Sequence, residues 1–292
     1  MRLDELPVSD RVEDRRGVTP ARVGGIGIGT VVVLTLIGWA FGIDPSTLIN
    51  PAEEILSGGS QTQQERGPTG APSDEIGHFV SAVLGSTEDV WTGVFAQAGK
   101  TYTPPTLVMF SGATQSGCGF AQAAMGPFYC PIDQKVYLDT SFFQDLQQRF
   151  GACDVGSKTC QFSEAYVIAH EIGHHVQNQL GLLPKVQEAQ HAMAQSEANG
   201  LQVRVELQAD CLAGVWANRA QAKWQFIEPG DVDSALQTAS AIGDDRLQRQ
   251  AQGYVVPDSF THGTSAQRAR WFTTGLKSGD VASCDTFGAQ QP

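Results

Sequence analysis

Positive charge is scarce in this chain: 19 Lys and Arg stand against 31 Asp and Glu, for a formal net charge of −12. An acidic surface of that kind argues against nucleic acid as a partner. Cysteine is missing from the first part of the chain and then occurs six times, at Cys118, Cys130, Cys153, Cys160, Cys211 and Cys284. None of them forms a C-x-x-C pair, which disfavours a zinc site built from cysteine. Charge of either sign is absent from Val23 to Ile43, and after Arg22 no Lys or Arg returns until Arg66. No internal repeat is present.

The uncharged segment carries Ile26, Val31, Val32, Val33, Leu34, Leu36, Ile37, Trp39 and Phe41. As a helix it reaches across about 30 Å of hydrocarbon, and its many glycines are tolerated there better than in a soluble helix. Trp39-Ala40-Phe41-Gly42 is a poor cleavage site, which disfavours a removed signal peptide. Arg2, Arg11, Arg15, Arg16 and Arg22 all precede the segment. The sequence therefore predicts a cytoplasmic tail over 1–22, one transmembrane helix over 23–43 in the cytoplasmic membrane, and an extracytoplasmic remainder. Residues 44–73, rich in Pro, Gly, Ser and Gln, read as a flexible linker, and 74–292 as the folded domain. An oxidising compartment permits disulfides. Six cysteines allow 15 full pairings; local spacing suggests Cys118 with Cys130 and Cys153 with Cys160, leaving Cys211 and Cys284.

What the chain does contain is His170-Glu171-Ile172-Gly173-His174. Histidines four apart on a helix share a face and can share one metal. Catalytic zinc takes three protein ligands and keeps a position for water, and the carboxylate after the first histidine is placed to take that water's proton. Ala165, Ile168, Ala169, Ile172, Val176 and Leu180 recur at helical spacing, which predicts a helix over Ser163–Leu180. Ser163 is the expected cap, Glu164 sits in the first turn, and Gly181 with Leu182, Leu183 and Pro184 signals the stop. Gln177 and Leu180 stand where metzincins need glycine and histidine, so that subclass is excluded.

A third ligand is available in Glu206-Leu207-Gln208-Ala209-Asp210, with Glu206 binding and Asp210 orienting a ligand histidine, an arrangement similar to that of the thermolysin-like gluzincins. Helices are expected over Lys185–Ala198, stopped by Asn199-Gly200, and over Leu201–Lys223.

Ala165 to Asn178 and Glu206 to Cys211, with Gly126 to Pro131, Val136 to Asp139 and Thr261 to Gly263, resemble a bacterial family of neutral zinc metallopeptidases. The resemblance covers most of Ser73 to Gly288. It implies a zincin-like α+β domain, mostly helical with a small sheet, and peptidase chemistry on a peptide or protein substrate.

Asp74 is placed to cap a helix carrying Phe79, Val80, Val83, Leu84, Val90, Trp91 and Phe95. Thr106–Phe110 and Lys135–Asp139 read as strands, and the second is either an edge strand beside the active-site helix, open to an extended peptide, or simply a core strand. Asp231–Arg249 looks helical, and Thr264-Ser265-Ala266-Gln267 has the form of a capping box. His262 precedes that box, where it either donates a hydrogen bond to an oxyanion or serves as a turn residue; Tyr254 is a weaker candidate. His175 is offset by about 100° from His174 and should face away from a metal. His78 and His191 read as surface residues. The expected function is a membrane-anchored zinc metallopeptidase, expected to act as an endopeptidase, with His170, His174 and Glu206 as ligands and Glu171 as general base. The rivals are a non-enzymatic envelope protein that binds zinc and partners, and a zinc hydrolase of non-peptide amides.

Overall fold

The computed structural model describes residues 1–17, 67–122, 126–148 and 160–292. Eight helices appear among them: α1 (Glu75–Gln97), α2 (Phe142–Gln148), α3 (Cys160–Gln179), α4 (Leu182–Gln190), α5 (Gln195–Trp224), α6 (Asp231–Ala241), α7 (Asp244–Gln252) and α8 (Ser265–Ser278). Six strands accompany them: β1 (Val12–Asp14), β2 (Thr106–Phe110), β3 (Ala113–Ser116), β4 (Gly119–Gln122), β5 (Phe128–Cys130) and β6 (Lys135–Asp139). The α+β class expected from the sequence is what is found, helix-rich with small sheets.

The main sheet runs β1-β2-β6-β5, with β1, β2 and β6 parallel and β5 antiparallel, while β3 and β4 form a separate hairpin. Strand β6 is therefore interior, and the edge on the side of α3 is β5. Of the two readings of Lys135–Asp139, the core strand is the one found among the described residues, and the edge position falls to β5. The run of valine, tyrosine and leucine identifies Lys135–Asp139 as a strand but is blind to how many neighbours it has. Tyr129 of β5 pairs with Val136 and sends its hydroxyl to α3, toward Asn178 Nδ2 at 2.9 Å and His175 Nδ1 at 3.1 Å.

The tail expected over 1–22 is, as far as residue 17, part of the folded unit. β1 lies in the sheet, the Ser9 amide donates to the Ser81 carbonyl at 2.9 Å, and the Met1 ammonium lies 3.0 Å from the buried Asp231 carboxylate. Of the arginines counted for orientation, Arg15 and Arg16 are engaged there, while Arg22 lies outside the described residues. Arg15 is buried and pairs with Glu13 at 2.8 Å, while Arg16 reaches both Asp14 and Asp74. Glu13 also takes Lys135 Nζ at 2.9 Å, so three neighbouring charges close on one another where β1 meets the sheet. The expected linker likewise ends early, because Gly67–Gly70 runs along β1 with the Asp14 amide on the Pro68 carbonyl at 2.9 Å. The predicted span at 23–43 lies outside the described residues, among which no helix is long and apolar enough to cross a membrane.

Helices α3, α5 and α8 make the frame of the site. Gly173, inside the histidine motif, lets α5 approach: a Cβ there would stand 3.0 Å from the Ala209 carbonyl oxygen. Gly275 does the same for α8, where a Cβ would stand 1.9 Å from the carbonyl of Cys211. Tyr166, Ile172, Leu207, Leu212, Trp216 and Phe272 fill the space between, all with 2% exposure or less. Burying side chains of this size is worth about 1.5–3 kcal/mol each.

Several helix ends move from their expected places. α3 begins three residues early, so Ser163 is an interior residue bonded to Ser234 Oγ at 2.7 Å and caps nothing. α5 starts at Gln195 and runs through Asn199-Gly200, because the tertiary contacts of a long helix outweigh the roughly 1 kcal/mol that one interior glycine costs. The break falls instead after α4, whose first turn accepts Pro184. Asp231–Arg249 divides into α6 and α7, since Asp244 is committed to a neighbouring turn. The Asp74 cap on Gly77 and the Thr264 capping box are both present.

Candidate metal centre

One turn of α3 separates His170 from His174, and α5 brings Glu206 against them. The Nε2 atoms of the two histidines are 3.2 Å apart; Glu206 Oε2 lies 3.1 Å from the first and 3.4 Å from the second. Donor atoms bound tetrahedrally to zinc at about 2.0–2.1 Å sit about 3.3 Å from one another. The triangle thus has the size that one such ion requires, and His170, His174 and Glu206 are the residues that could hold it.

Each ligand is itself held. Asp210 Oδ1 accepts from His170 Nδ1 at 2.8 Å and from the Tyr166 hydroxyl at 2.6 Å, and the Arg268 guanidinium donates to both oxygens of the same carboxylate at 2.9 Å. Burial would raise the Asp210 pKa, but the charges of Arg268 and His170 and their hydrogen bonds lower it to about 2. An ionised carboxylate only accepts, so His170 Nδ1 is the donor, and Nε2 is the nitrogen that can give up its proton to a metal. Glu206 Oε1 is tied by Gln202 Nε2 at 2.9 Å, leaving Oε2 for the triangle. His174 Nδ1 lies 2.9 Å from Gln177 Oε1.

Glu171 is buried, and its carboxylate makes no hydrogen bond among the described residues. Burial raises its pKa, against the opposing pull of His170 and His174. A carboxylate made more basic and left uncommitted beside a metal site is suited to accept a proton. His175 points away, as expected, with Nε2 2.7 Å from the Thr103 carbonyl. His78 and His191 are exposed, as is Tyr254.

His262 is half exposed and sits on a turn gathered by one carboxylate: Asp244 Oδ2 accepts the backbone N–H groups of Thr261, His262 and Gly263 at 2.6–3.0 Å. Disulfides join Cys118 to Cys130 and Cys211 to Cys284. Cys160 is also disulfide-bonded, while its expected partner Cys153 lies outside the described residues.

Sequence reading missed Gln177, Tyr166, Arg268, Gln202 and Asp244. Gln177 and Tyr166 had a signal, being three after His174 and four before His170 on one helix face. Gln202 stands in the same i, i+4 relation to Glu206. Arg268 and Asp244 had none, since their partners are distant in the chain.

The residues matched by the family model "Putative neutral zinc metallopeptidase" run from 1 to 287, and the chain belongs to that family. The match takes in β1 as well as the histidine motif. Among curated relatives, an uncharacterized protein, YpfJ, of Escherichia coli strain K12 is 46% identical over 293 residues, covering 96% of each chain. An uncharacterized protein, Mb2605, of Mycobacterium bovis is 40% identical over 262 residues, 85% of this chain and 84% of its own. No solved structure matches.

Proposed function

We propose that the protein is a zinc-dependent peptidase whose reacting centre is built from His170, His174, Glu206 and Glu171. The observation that carries this reading is the triangle of donor atoms with an uncommitted, buried carboxylate on the same helix. Zinc bound there would supply Lewis acidity toward a peptide carbonyl and toward water. Glu171 takes the proton of the attacking water and returns it to the departing amine nitrogen. His262 donates a hydrogen bond to the developing oxyanion, and Asp244 sets the turn that presents it. Among the described residues the outer edge of β5 pairs with no further strand, and its backbone groups are offered to an extended peptide, which favours internal cleavage of a chain.

The apolar run at 23–43 is the proposed membrane attachment, and the cysteine pairs support an extracytoplasmic setting for the catalytic unit. Because β1 belongs to that unit, residues 1–17 share its side of the membrane in this reading, in place of the cytoplasmic tail and single crossing that the arginines suggested.

The test is zinc content and cleavage of a diverse peptide library by the purified full chain and by Glu171→Gln. The expected result is about one zinc per chain in both and cleavage by the parent only. Equal cleavage by the variant would remove Glu171 from its role. Stoichiometric zinc with no peptide cleaved by the parent would favour a binding protein or a hydrolase of other amides.

A further inference from the structure

The two ligand histidines are supported by different chemistry. His170 leans on an ionised carboxylate backed by an arginine, whereas His174 leans on the fully buried side-chain amide of Gln177. The orientation of that amide is fixed by its neighbours. The Val205 carbonyl, 2.8 Å from Gln177 Nε2, can only accept, so nitrogen must face it and oxygen must face His174. The second N–H of Gln177 meets Gln208 Oε1 at 3.0 Å, and Gln208 Nε2 in turn donates to the Cys284 carbonyl at 3.0 Å. With both donors committed, the only group Gln177 can offer His174 is an acceptor. His174 Nδ1 must then carry the proton, leaving the Nε2 lone pair in the triangle.

We propose that Gln177 is a positioning residue for metal binding: it locks His174 in the tautomer and ring orientation that the metal needs, and as a neutral group it does so without adding charge. The site already concentrates Glu171, Glu206 and Asp210, with a single arginine, Arg268, against Asp210. A fourth carboxylate is not required to orient the second ring when the protein can aim an amide by its carbonyl and glutamine partners. The inference rests on the metal site proposed above.

Two variants of the full chain separate this role from packing. Gln177→Glu and Gln177→Met both lose the N–H groups that hold Val205 and Gln208, but only the glutamate keeps an acceptor for His174 Nδ1. Zinc dissociation constants from chelator competition should rise about 10- to 100-fold in Gln177→Met and stay within about threefold of the parent in Gln177→Glu. The melting temperatures of the metal-free forms should fall in both. Equal weakening in the two variants, or a parental constant in Gln177→Met, would overturn the proposal. If either variant fails to fold, the parent decides: long-range proton–nitrogen NMR of the zinc-bound form should find His174 protonated at Nδ1, and a proton at Nε2 overturns it. His174→Ala in the same series tests the site itself, since undiminished zinc binding there would remove the ligand assignment and not merely the role of Gln177.

Discussion

The guanidinium of Arg268 meets both oxygens of Asp210 at 2.9 Å, deep between α5 and α8, and the same carboxylate holds the ring of His170. A charge pair so buried is costly to make and more costly to break on one side, because the survivor is left without solvent or partner. Arg268→Met should therefore lower the unfolding free energy by about 3–5 kcal/mol. Urea denaturation of the metal-free protein measures this. A loss below 1 kcal/mol, on the scale of an exposed pair, would show that Asp210 does not depend on the arginine.

Zinc binding should release protons. Burial disfavours a charged His170, but the charge of Asp210 and the hydrogen bonds of Asp210 and Glu206 raise its pKa to about 10 in the metal-free protein. Near neutral pH the metal-free ring thus carries a proton on Nε2 as well as on Nδ1, and the Nε2 lone pair becomes available to a metal only when that proton leaves. Affinity should tighten as pH rises toward that value. Calorimetry in buffers of different ionisation enthalpy reads the protons directly, and an absence of release at pH 7 would contradict the shift.

His262→Ala should retain zinc and lower kcat by about 100-fold, the usual effect of removing one donor to an oxyanion. Asp244→Ala should reproduce much of that loss, since it frees three backbone N–H groups of the turn. Steady-state kinetics with metal analysis separates this from loss of the ion. Unchanged kcat in His262→Ala would leave it a turn residue.

The Cys211–Cys284 disulfide closes a long loop, with a sequence separation of 73. By chain entropy, replacing both cysteines with serine should cost about 4 kcal/mol. Because Cys284 also presents its carbonyl to Gln208, the same variant should weaken zinc binding. Denaturation and metal competition on one preparation test both effects.

Acid should loosen the amino-terminal strand first. Burial pushes the Glu13 carboxyl up, but hydrogen bonds and charge from Arg15 and Lys135 hold it below the ordinary value. Its contribution is whole above the unfolded value of about 4.3 and drains away as pH falls through the lower folded value. Glu13→Gln should flatten this part of the pH–stability curve, and amide exchange at Val12–Asp14 locates it. An unchanged acid slope would assign the loss to other carboxylates.

What could be read in advance follows the range of the forces involved. Strands β2 and β6, the caps at Asp74 and Thr264, and the spacing of His170 and His174 are set by neighbours in sequence, and they stand where expected. Glu206 and Asp210 were legible because four-residue spacing on an apolar helix marks paired acids. Arg268 was not, since a buried cation declares itself only when its carboxylate is found, and that lies on another helix. Likewise, Arg15 and Arg16 ahead of an apolar run look like part of an orientation signal until Glu13, Asp14 and Asp74 are seen to neutralise them.

The parallel seating of Val12–Asp14 beside Leu107–Met109 also sets the order in which the molecule can be completed. Val12–Asp14 can meet Pro68 and Gly70 after about fifty-five residues, but its neighbour in the sheet follows only about ninety residues later, so its docking is a late step of folding, as is usual for pairings distant in sequence. Until then Val12 and the charges beside it stay in water, and the sheet lacks its outer strand. The seating of β1 therefore marks completion of the sheet, since it requires a neighbour far along the chain to be already in place.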